Sequence, residues 1–237
     1  DVKAAQVELA EDLFADDLPA PEIQKLLTHI NNDIYRRITD LCVDAMAAEG
    51  WGPPPVGFSV IVTGSGGRGE NYLYPDQDNG LILADYPDAE HNRIDVWFRE
   101  MAGRLTEMLD RVGFPLCGGY CMAVNPMWRK TLSQWTAQIS QWARRRNAIA
   151  IRLSDIFYDF QAVWGDCRLA TDLRAHTTQM AKKNHPFLRA MFDEIKDHGV
   201  ALGLMGRLDT ERLADGGRGV NLKYHGTLPL VESIRLM

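Results

Sequence analysis

The fold of this chain is decided by residues 58–83, which read FSVIVTGSGGRGENYLYPDQDNGLIL. Residues 58–63 are mostly apolar and β-branched, and they predict a buried strand. A second apolar run, residues 81–84, follows Asn79-Gly80 and predicts a neighbouring strand. The loop between them has room for at most two helical turns, because Pro75 forbids a longer helix. The stretch therefore predicts a strand, a Gly-Ser turn, a short helix and an Asp-x-Asp motif that enters an adjacent strand.

The same glycines also match the dinucleotide-binding pattern G-x-G-x-x-G, at Gly64, Gly66 and Gly69. Asp85 even lies near the position of a ribose-binding acid. That fold requires the last glycine to open a full crossover helix, whose N-terminus holds the pyrophosphate. Pro75 leaves no room for such a helix, so a dinucleotide enzyme is disfavoured.

The Asp-x-Asp motif supplies two carboxylates on one face. Asp76 and Asp78 are separated by one residue, so on an extended backbone their side chains point the same way and Gln77 points away. Two adjacent carboxylates repel each other unless a cation lies between them, and Mg²⁺ prefers such oxygen ligands together with substrate phosphates. The motif predicts a site for Mg²⁺ or Mn²⁺ at Asp76 and Asp78.

The glycine-rich turn supplies groups that suit a triphosphate. Backbone N–H groups near Gly64 can approach phosphate closely, and the Ser65 hydroxyl is a further donor. Arg68 offers a charged fork to the same phosphates. Either motif alone is often only a turn with solvated charge. Together, with ten residues between Ser65 and Asp76, they favour a nucleotide site.

Bulk properties limit the classes of function. The chain has 237 residues, 46% of them hydrophobic and 24% charged, which is typical of a globular protein. Its net charge of −6 argues against broad nucleic-acid binding, although a local basic pocket is compatible with it. It contains no apolar run long enough to cross a membrane and does not begin like a signal peptide, so we expect a cytoplasmic protein. Both ends look cut, which predicts a longer polypeptide.

The four cysteines, Cys42, Cys117, Cys121 and Cys167, are too few and too irregularly spaced to predict a disulfide framework. Cys117 and Cys121 bracket a Gly-Gly-Tyr sequence and could be half of a metal site. The paired spacing of a zinc module is missing elsewhere in the sequence, so buried free thiols are the favoured interpretation.

The remaining patterns predict an α+β fold, with a small mixed sheet flanked by helices and with helical segments on both sides of it in the chain. Helical spacing of apolar residues predicts helices at residues 21–48, from Asp88 to Val112, and from about Met127 to Arg146. Residues 153–160 are aromatic and predict a third strand, with a helix as the alternative. We expect an N-terminal helical segment (1–50), a core that carries the predicted nucleotide site (51–165) and a truncated C-terminal helical region (166–237).

These motifs resemble the signature of the DNA polymerase beta nucleotidyltransferase superfamily, in the branch that contains the bacterial PII uridylyltransferases. The resemblance rests on Gly64-Ser65 followed by residues 76–82. A closer resemblance is to the nucleotidyltransferase family that occurs in bacteria beside CBS or cyclic-nucleotide-binding domains, through residues 121–129, 157–160 and 221–223. It covers most of the chain from about residue 20 onward. Its motifs are specific for the fold but much less so for the substrate.

The resemblance implies a third metal-binding carboxylate on a strand beside the Asp-x-Asp strand. Asp159 is the expected ligand and Asp155, on the same face, is the reserve candidate. Asp159 would also take the proton of the acceptor. The chain departs from the family at Gln161, where Arg is common, and this puts in doubt the phosphate contact or ion pair that the Arg makes.

The resemblance also implies the reaction: transfer of a nucleoside monophosphate from an NTP to an acceptor hydroxyl, with release of pyrophosphate. Asp76, Asp78 and Asp159 would be the catalytic and metal-binding residues, and Gly64, Ser65 and Arg68 the nucleotide-binding residues. A tyrosine on a PII-like regulator is one expected acceptor, which would give the protein a role in signal transduction. Regulatory domains are expected in the full-length chain. The alternative is a nucleotide-binding regulatory module whose catalytic function has lapsed.

Overall fold

The computed structural model describes residues 2–195, 201–203, 206–212 and 216–236. Contacts within the chain divide it into two compact units. The first contains residues 1–139 and 156–177, and the second contains residues 140–155 and 178–237. The predicted segment boundaries near residues 50 and 165 stay predictions. In the described residues, the helices are too short or too polar to cross a lipid bilayer.

The mixture of helices with a mixed sheet confirms the predicted α+β class. In chain order they are α1 (Val2–Ala15), α2 (Ala20–Ala48), β1 (Phe58–Val62), α3 (Gly64–Arg68), β2 (Asn79–Leu83), α4 (His91–Arg111), β3 (Arg129–Thr131), α5 (Leu132–Arg145), α6 (Ala148–Tyr158), β4 (Gln161–Gly165), α7 (Cys167–Lys182), α8 (His185–Ile195), β5 (Glu211–Arg212), β6 (Arg218–Gly219) and α9 (Leu228–Arg235).

A mixed four-stranded sheet forms the centre of the first unit, in the order β3-β2-β1-β4. β1 is antiparallel to both β2 and β4, whereas β3 is parallel to β2. Every residue of β1 and β2 is buried, which explains why both strands show continuous apolar runs in the sequence rather than alternation. The predictions of strands at residues 58–63 and 81–84 are confirmed.

One face of the sheet packs against α2 and α4. Alternate residues of the central strands, Val60 and Val62 on β1 and Leu81 and Leu83 on β2, point into this core. Phe58 anchors the layer, with its ring centroid 5.1 Å from that of Phe98 on α4 in an edge-to-face arrangement. The core fixes the sheet relative to both long helices.

The predicted helices at residues 21–48 and from Asp88 to Val112 are confirmed. α2 ends at Ala48, and Gly50 follows with a φ of 90°. Asp88 begins a 3-10 turn, and the helix itself starts at His91 and ends at Arg111. Gly113, with a φ of 97°, lies just beyond its end.

The predicted helix from Met127 to Arg146 is partly wrong. Residues 126–128 form a 3-10 turn and Arg129–Thr131 form β3, so the helix begins only at Leu132. The buried Arg129 side chain donates to the carbonyl of Ala123 at 2.8 Å, and β3 pairs with β2. These long-range bonds override the local helical pattern.

The predicted strand at residues 153–160 is also wrong, and the helical alternative is correct through Tyr158. α6 covers Ala148–Tyr158, and the strand begins at Gln161. The Asn147 side chain accepts a hydrogen bond from the Ala150 N–H at 2.9 Å, which caps the start of the helix. Buried residues then recur at helical spacing, at positions 150, 151, 154 and 157. Capping and periodicity therefore outweigh the β-propensity of the aromatic residues.

The second unit contains α8 and α9 and a short pairing of β5 with β6. A π-helical turn at Lys223–Thr227 leads into α9. Within this unit the guanidinium of Arg235 forms an ion pair with Asp155. Asp155, the reserve candidate for the third carboxylate, is therefore paired with Arg235 in the second unit.

Candidate active site

The sheet brings the predicted site residues to one edge. Because β1 is antiparallel to both of its neighbours, its carboxyl end meets the amino ends of β2 and β4, with Val62 opposite Asn79 and Gln161. The Gly-Ser turn follows β1, the Asp-x-Asp motif precedes β2, and Asp159 precedes β4. β4 pairs with β1 and not with β2, so the prediction that Asp159 lies on a strand beside the Asp-x-Asp strand is wrong.

The Asp-x-Asp motif is held by its middle residue. Gln77 is fully buried, and its amide nitrogen donates to the carbonyls of Phe114 at 2.8 Å and Thr106 at 3.0 Å. Asp76 is exposed and Asp78 is half-buried. Gln77 thus points into the interior, as the alternation predicts, and leaves both carboxylates on the open side.

The Gly-Ser turn lies directly against this pair. Gly64 has a φ of 58°, and a Cβ added there would lie 3.4 Å from the Asp78 carboxylate. The backbone N–H of Thr63 donates to the Asp78 carbonyl at 3.0 Å, which continues the pairing of β1 with β2 by one step. The turn and the acidic motif are therefore one rigid unit.

A shallow depression joins the turn to the carboxylates. Its lining includes Ser65, Asp76, Asp78 and Asn71. The Ser65 hydroxyl makes a long 3.5 Å contact with the side-chain oxygen of Asn71. Ser65 therefore lines the same depression as the two carboxylates.

Arg68 and Asp159 meet each other at the other end of α3. The Arg68 guanidinium donates to the Asp159 carboxylate at 2.6 Å and to Glu70 at 2.8 Å. Burial raises the pKa of Asp159, and the Arg68 charge opposes that shift. Burial alone would lower the pKa of Arg68, but its hydrogen bonds to Glu70 and Asp159 outweigh burial and raise it.

Further contacts fix the backbone around Asp159. The Arg174 guanidinium donates to the carbonyls of Tyr158 and Phe160 and lies 3.9 Å from the centroid of the Phe160 ring. On the other side, a Cβ added to Gly67 would lie only 1.5 Å from the Asp159 carbonyl oxygen. The absence of a side chain at Gly67 lets α3 approach Asp159 closely enough for the ion pair with Arg68.

The sequence did not indicate that two cysteines lie beside Asp78. The Asn79 backbone N–H donates to the Cys121 carbonyl at 3.0 Å, and the Asn79 side chain accepts from Ala123 at 2.9 Å. These bonds bring the Sγ atoms of Cys117 and Cys121 and a carboxylate oxygen of Asp78 within 4.8 Å of one another. Cys121 is buried and Cys117 half-buried.

The two thiols have different environments. Their mutual hydrogen bond lowers the pKa of Cys117, whereas the same bond, together with burial, raises the pKa of Cys121. Neither thiol forms a disulfide in the structure. The third side chain of this cluster, Asp78, comes from a distant part of the chain, so the spacing of Cys117 and Cys121 in the sequence could not indicate it.

Two family models match this chain. The family model described as "Putative nucleotidyltransferase DUF294" matches residues 4–148, and the model described as "Putative nucleotidyltransferase substrate binding domain" matches residues 185–237. No curated protein matches the chain. The first model alone covers more than half of the sequence, so this chain belongs to the nucleotidyltransferase family DUF294.

Proposed function

We propose that this protein transfers a nucleoside monophosphate from an NTP to an acceptor hydroxyl, using Mg²⁺ or Mn²⁺. The observation that carries the proposal is the juxtaposition of the Gly64-Ser65 turn with the Asp76 and Asp78 carboxylates in one depression. The family assignment supports nucleotidyl transfer in general. Metal dependence and the acceptor are the proposed refinements.

The donor set fits a hard divalent cation. Asp76 and Asp78 offer carboxylate oxygens on the open side of a rigid motif, and Gln77 is anchored on the other side. Oxygen ligands of this kind, combined with substrate phosphates, are those that Mg²⁺ prefers. Such a cation, when bound, supplies charge stabilisation to the entering and leaving oxygens of a phosphoryl transfer.

The glycine turn would hold the triphosphate beside that cation. Gly64 and Gly66 carry no side chain, so phosphate oxygens can approach the backbone, and the Ser65 hydroxyl can donate to them. The acceptor oxygen would then attack the α-phosphorus in line. One P–O bond forms to the acceptor while the bond to the bridging oxygen breaks, and pyrophosphate leaves.

Asp159 and Arg68 would act together in this scheme. In the structure Arg68 neutralises Asp159. Transfer of the guanidinium from Asp159 to the phosphates of the NTP would free the carboxylate to bind metal and to take the acceptor proton. The two proposed roles are thus coupled, since Arg68 cannot neutralise Asp159 and bind phosphate with the same nitrogen.

The acceptor is proposed from the family and not from the geometry. The resemblance to PII uridylyltransferases favours a protein hydroxyl, with a tyrosine of a PII-like regulator as the first candidate to test. The part matched by the substrate-binding model, residues 185–237, is the proposed location for acceptor recognition. Regulatory domains in the full-length chain would control the transfer.

A second candidate function is a nucleotide-binding module without transfer activity. The ion pair between Arg68 and Asp159 favours it, because a permanently neutralised Asp159 could not act as a metal ligand or base. Gln161, which stands where the family commonly has Arg, points the same way. Such a module would bind an NTP with metal at Asp76 and Asp78 and release it unchanged.

The test is to incubate the full-length protein with each labelled NTP, Mg²⁺ or Mn²⁺ and candidate acceptors. We expect Asp76→Asn and Asp78→Asn to reduce label transfer on the order of 100-fold or more. Asp88→Asn is the matched control, because it removes the same charge at an exposed position beyond the opposite end of β2, and it should retain transfer.

The outcomes separate the two functions. Metal-dependent nucleotide binding without transfer would support the lapsed module. Nucleotide binding that needs no metal and is indifferent to both site variants would overturn the assignment of Asp76 and Asp78.

A further inference from the structure

The proposed reaction leaves Cys117 and Cys121 without a role. Their Sγ atoms and an oxygen of Asp78 all lie within 4.8 Å of one another, although Asp78 is separated from both cysteines by more than thirty residues. Thiols are poor ligands for Mg²⁺ but strong ligands for softer divalent cations. The proposed Mg²⁺ site is therefore continuous with a pair of soft ligands.

The loop that carries the thiols is attached to the Asp-x-Asp motif on both sides. The Gln77 backbone N–H donates to the Pro115 carbonyl at 2.9 Å, and the Asn79 N–H donates to the Cys121 carbonyl at 3.0 Å. The position of the thiols relative to Asp78 is thus set by backbone hydrogen bonds. The closeness of the thiols to Asp78 is therefore a property of the backbone and does not depend only on the side-chain conformations.

The separations suit a tetrahedral cation of the zinc class. With Zn–S near 2.3 Å and Zn–O near 2.1 Å, two sulfurs and one oxygen in a tetrahedral site are about 3.6–3.8 Å apart. Each separation between the three ligand atoms therefore has to shorten by at most about 1.2 Å to reach this range. A Cβ added to Gly119 would lie 3.6 Å from each sulfur, which shows that both thiols converge on the same side of the loop.

We propose that Asp78, Cys117 and Cys121 form a binding site for a thiophilic divalent cation of the zinc class, which shares Asp78 with the proposed Mg²⁺ site. Three protein ligands leave the fourth tetrahedral position for water or a phosphate oxygen. A cation bound here occupies the Asp78 carboxylate, so it competes with Mg²⁺. Zinc would therefore inhibit nucleotidyl transfer, and only this consequence rests on the proposed function.

The direct test is a Co²⁺ titration of the full chain under reducing conditions, followed by absorbance. Cobalt bound by two thiolates in a tetrahedral site gives a sulfur-to-metal charge-transfer band in the near ultraviolet and intense visible bands, and added Zn²⁺ should abolish both. We expect Cys117→Ser to weaken cobalt binding about 10-fold to 100-fold or to remove the bands. Cys167→Ser, at an exposed cysteine, is the matched control and should leave them unchanged.

Cys117→Ser is the decisive variant, because Cys117 is half-buried and tolerates a polar side chain better than the buried Cys121. Circular dichroism shows whether it folds. Wild-type protein that gives no thiolate band with Co²⁺ overturns the site, as does a band that Cys167→Ser removes and Cys117→Ser does not.

A measurement of zinc inhibition separates the proposed cation site from the proposed nucleotidyl transfer. If the protein transfers nucleotides, Zn²⁺ should inhibit the wild type, and Cys117→Ser should require at least about 10-fold more Zn²⁺ for the same inhibition. If no transfer is found, the cobalt bands still decide whether the cation site exists. Equal zinc sensitivity of wild type and Cys117→Ser would refute the competition at Asp78.

Discussion

Replacing Gly67 with alanine tests how closely α3 packs against the segment that carries Asp159. A Cβ at this position would lie 1.5 Å from the Asp159 carbonyl oxygen and 2.5 Å from its carbonyl carbon. Both atoms belong to the backbone, so no side-chain rotation can relieve the overlap. The alanine variant therefore has to separate α3 from the start of β4.

The size of the effect follows from that distance. Contacts of a Cβ below 3.0 Å essentially do not occur, so the two segments must separate by at least about 1.5 Å. Overpacking of this kind costs roughly 1–3 kcal/mol, and sometimes more. Gly66→Ala is the matched control, because its Cβ would make only ordinary contacts, 3.4 Å or longer, and it should gain about 0.5–1 kcal/mol from helix propensity.

Urea unfolding of wild type and both variants, followed by circular dichroism and tryptophan fluorescence, measures the difference. We expect the free energy of unfolding of Gly67→Ala to lie roughly 1.5–4 kcal/mol below that of Gly66→Ala. The separation should also weaken the ion pair between Arg68 and Asp159. Equal stability of the two variants would refute the close packing of α3 on Asp159, and with it the reason for a glycine at this position.

Two further predictions concern groups that hold the first unit together. Burial lowers the pKa of Lys3 from 10.5 in the unfolded chain to about 8 in the folded protein. Between these pH values the unfolded state binds more protons than the folded state, so the free energy of unfolding rises with pH. Lys3→Met should flatten that rise in urea unfolding between pH 8 and 10.5, and unchanged slopes would contradict the assignment. Gln77→Ala should lower the free energy of unfolding by about 2–4 kcal/mol, because the carbonyls of Thr106 and Phe114 lose their donor. The exposed Gln179→Ala should change it by less than about 0.5 kcal/mol, and similar losses in both variants would show that the Gln77 amide does not anchor the motif.

The site geometry places opposite charges at the two ends of one short helix. At the start of α3, Gly64 lies against the Asp78 carboxylate, and at its end Arg68 pairs with Asp159 and Glu70. The Asp78 carboxylate would repel an incoming triphosphate unless a cation accompanies it. The phosphates would also attract Arg68 away from Asp159. Nucleotide binding, metal binding and release of Asp159 are therefore expected to be interdependent.

The local part of this site was predictable from the sequence. The apolar run of β1, the glycines that follow it, and the limit that Pro75 sets on helix length predicted the strand, turn and short helix. The alternation at residues 76–78 also predicted that both carboxylates share one face and that Gln77 points away from them, and the structure has Gln77 buried. Each of these features depends on residues close together in the chain, so backbone geometry alone determines them.

Only the tertiary structure decided which distant groups meet. The pairing of β3 with β2, the contact of Arg68 with Asp159, and the approach of Cys117 and Cys121 to Asp78 all join segments far apart in sequence. We predicted a strand at Asp159, the expected third carboxylate, because its aromatic neighbours favour strands. The Asn147 cap and the helical spacing of buried residues instead put Phe157 and Tyr158 in the last turn of α6. Local patterns set the conformation of each segment, but partners are chosen by packing and hydrogen bonding across the whole unit, which no short stretch of sequence encodes.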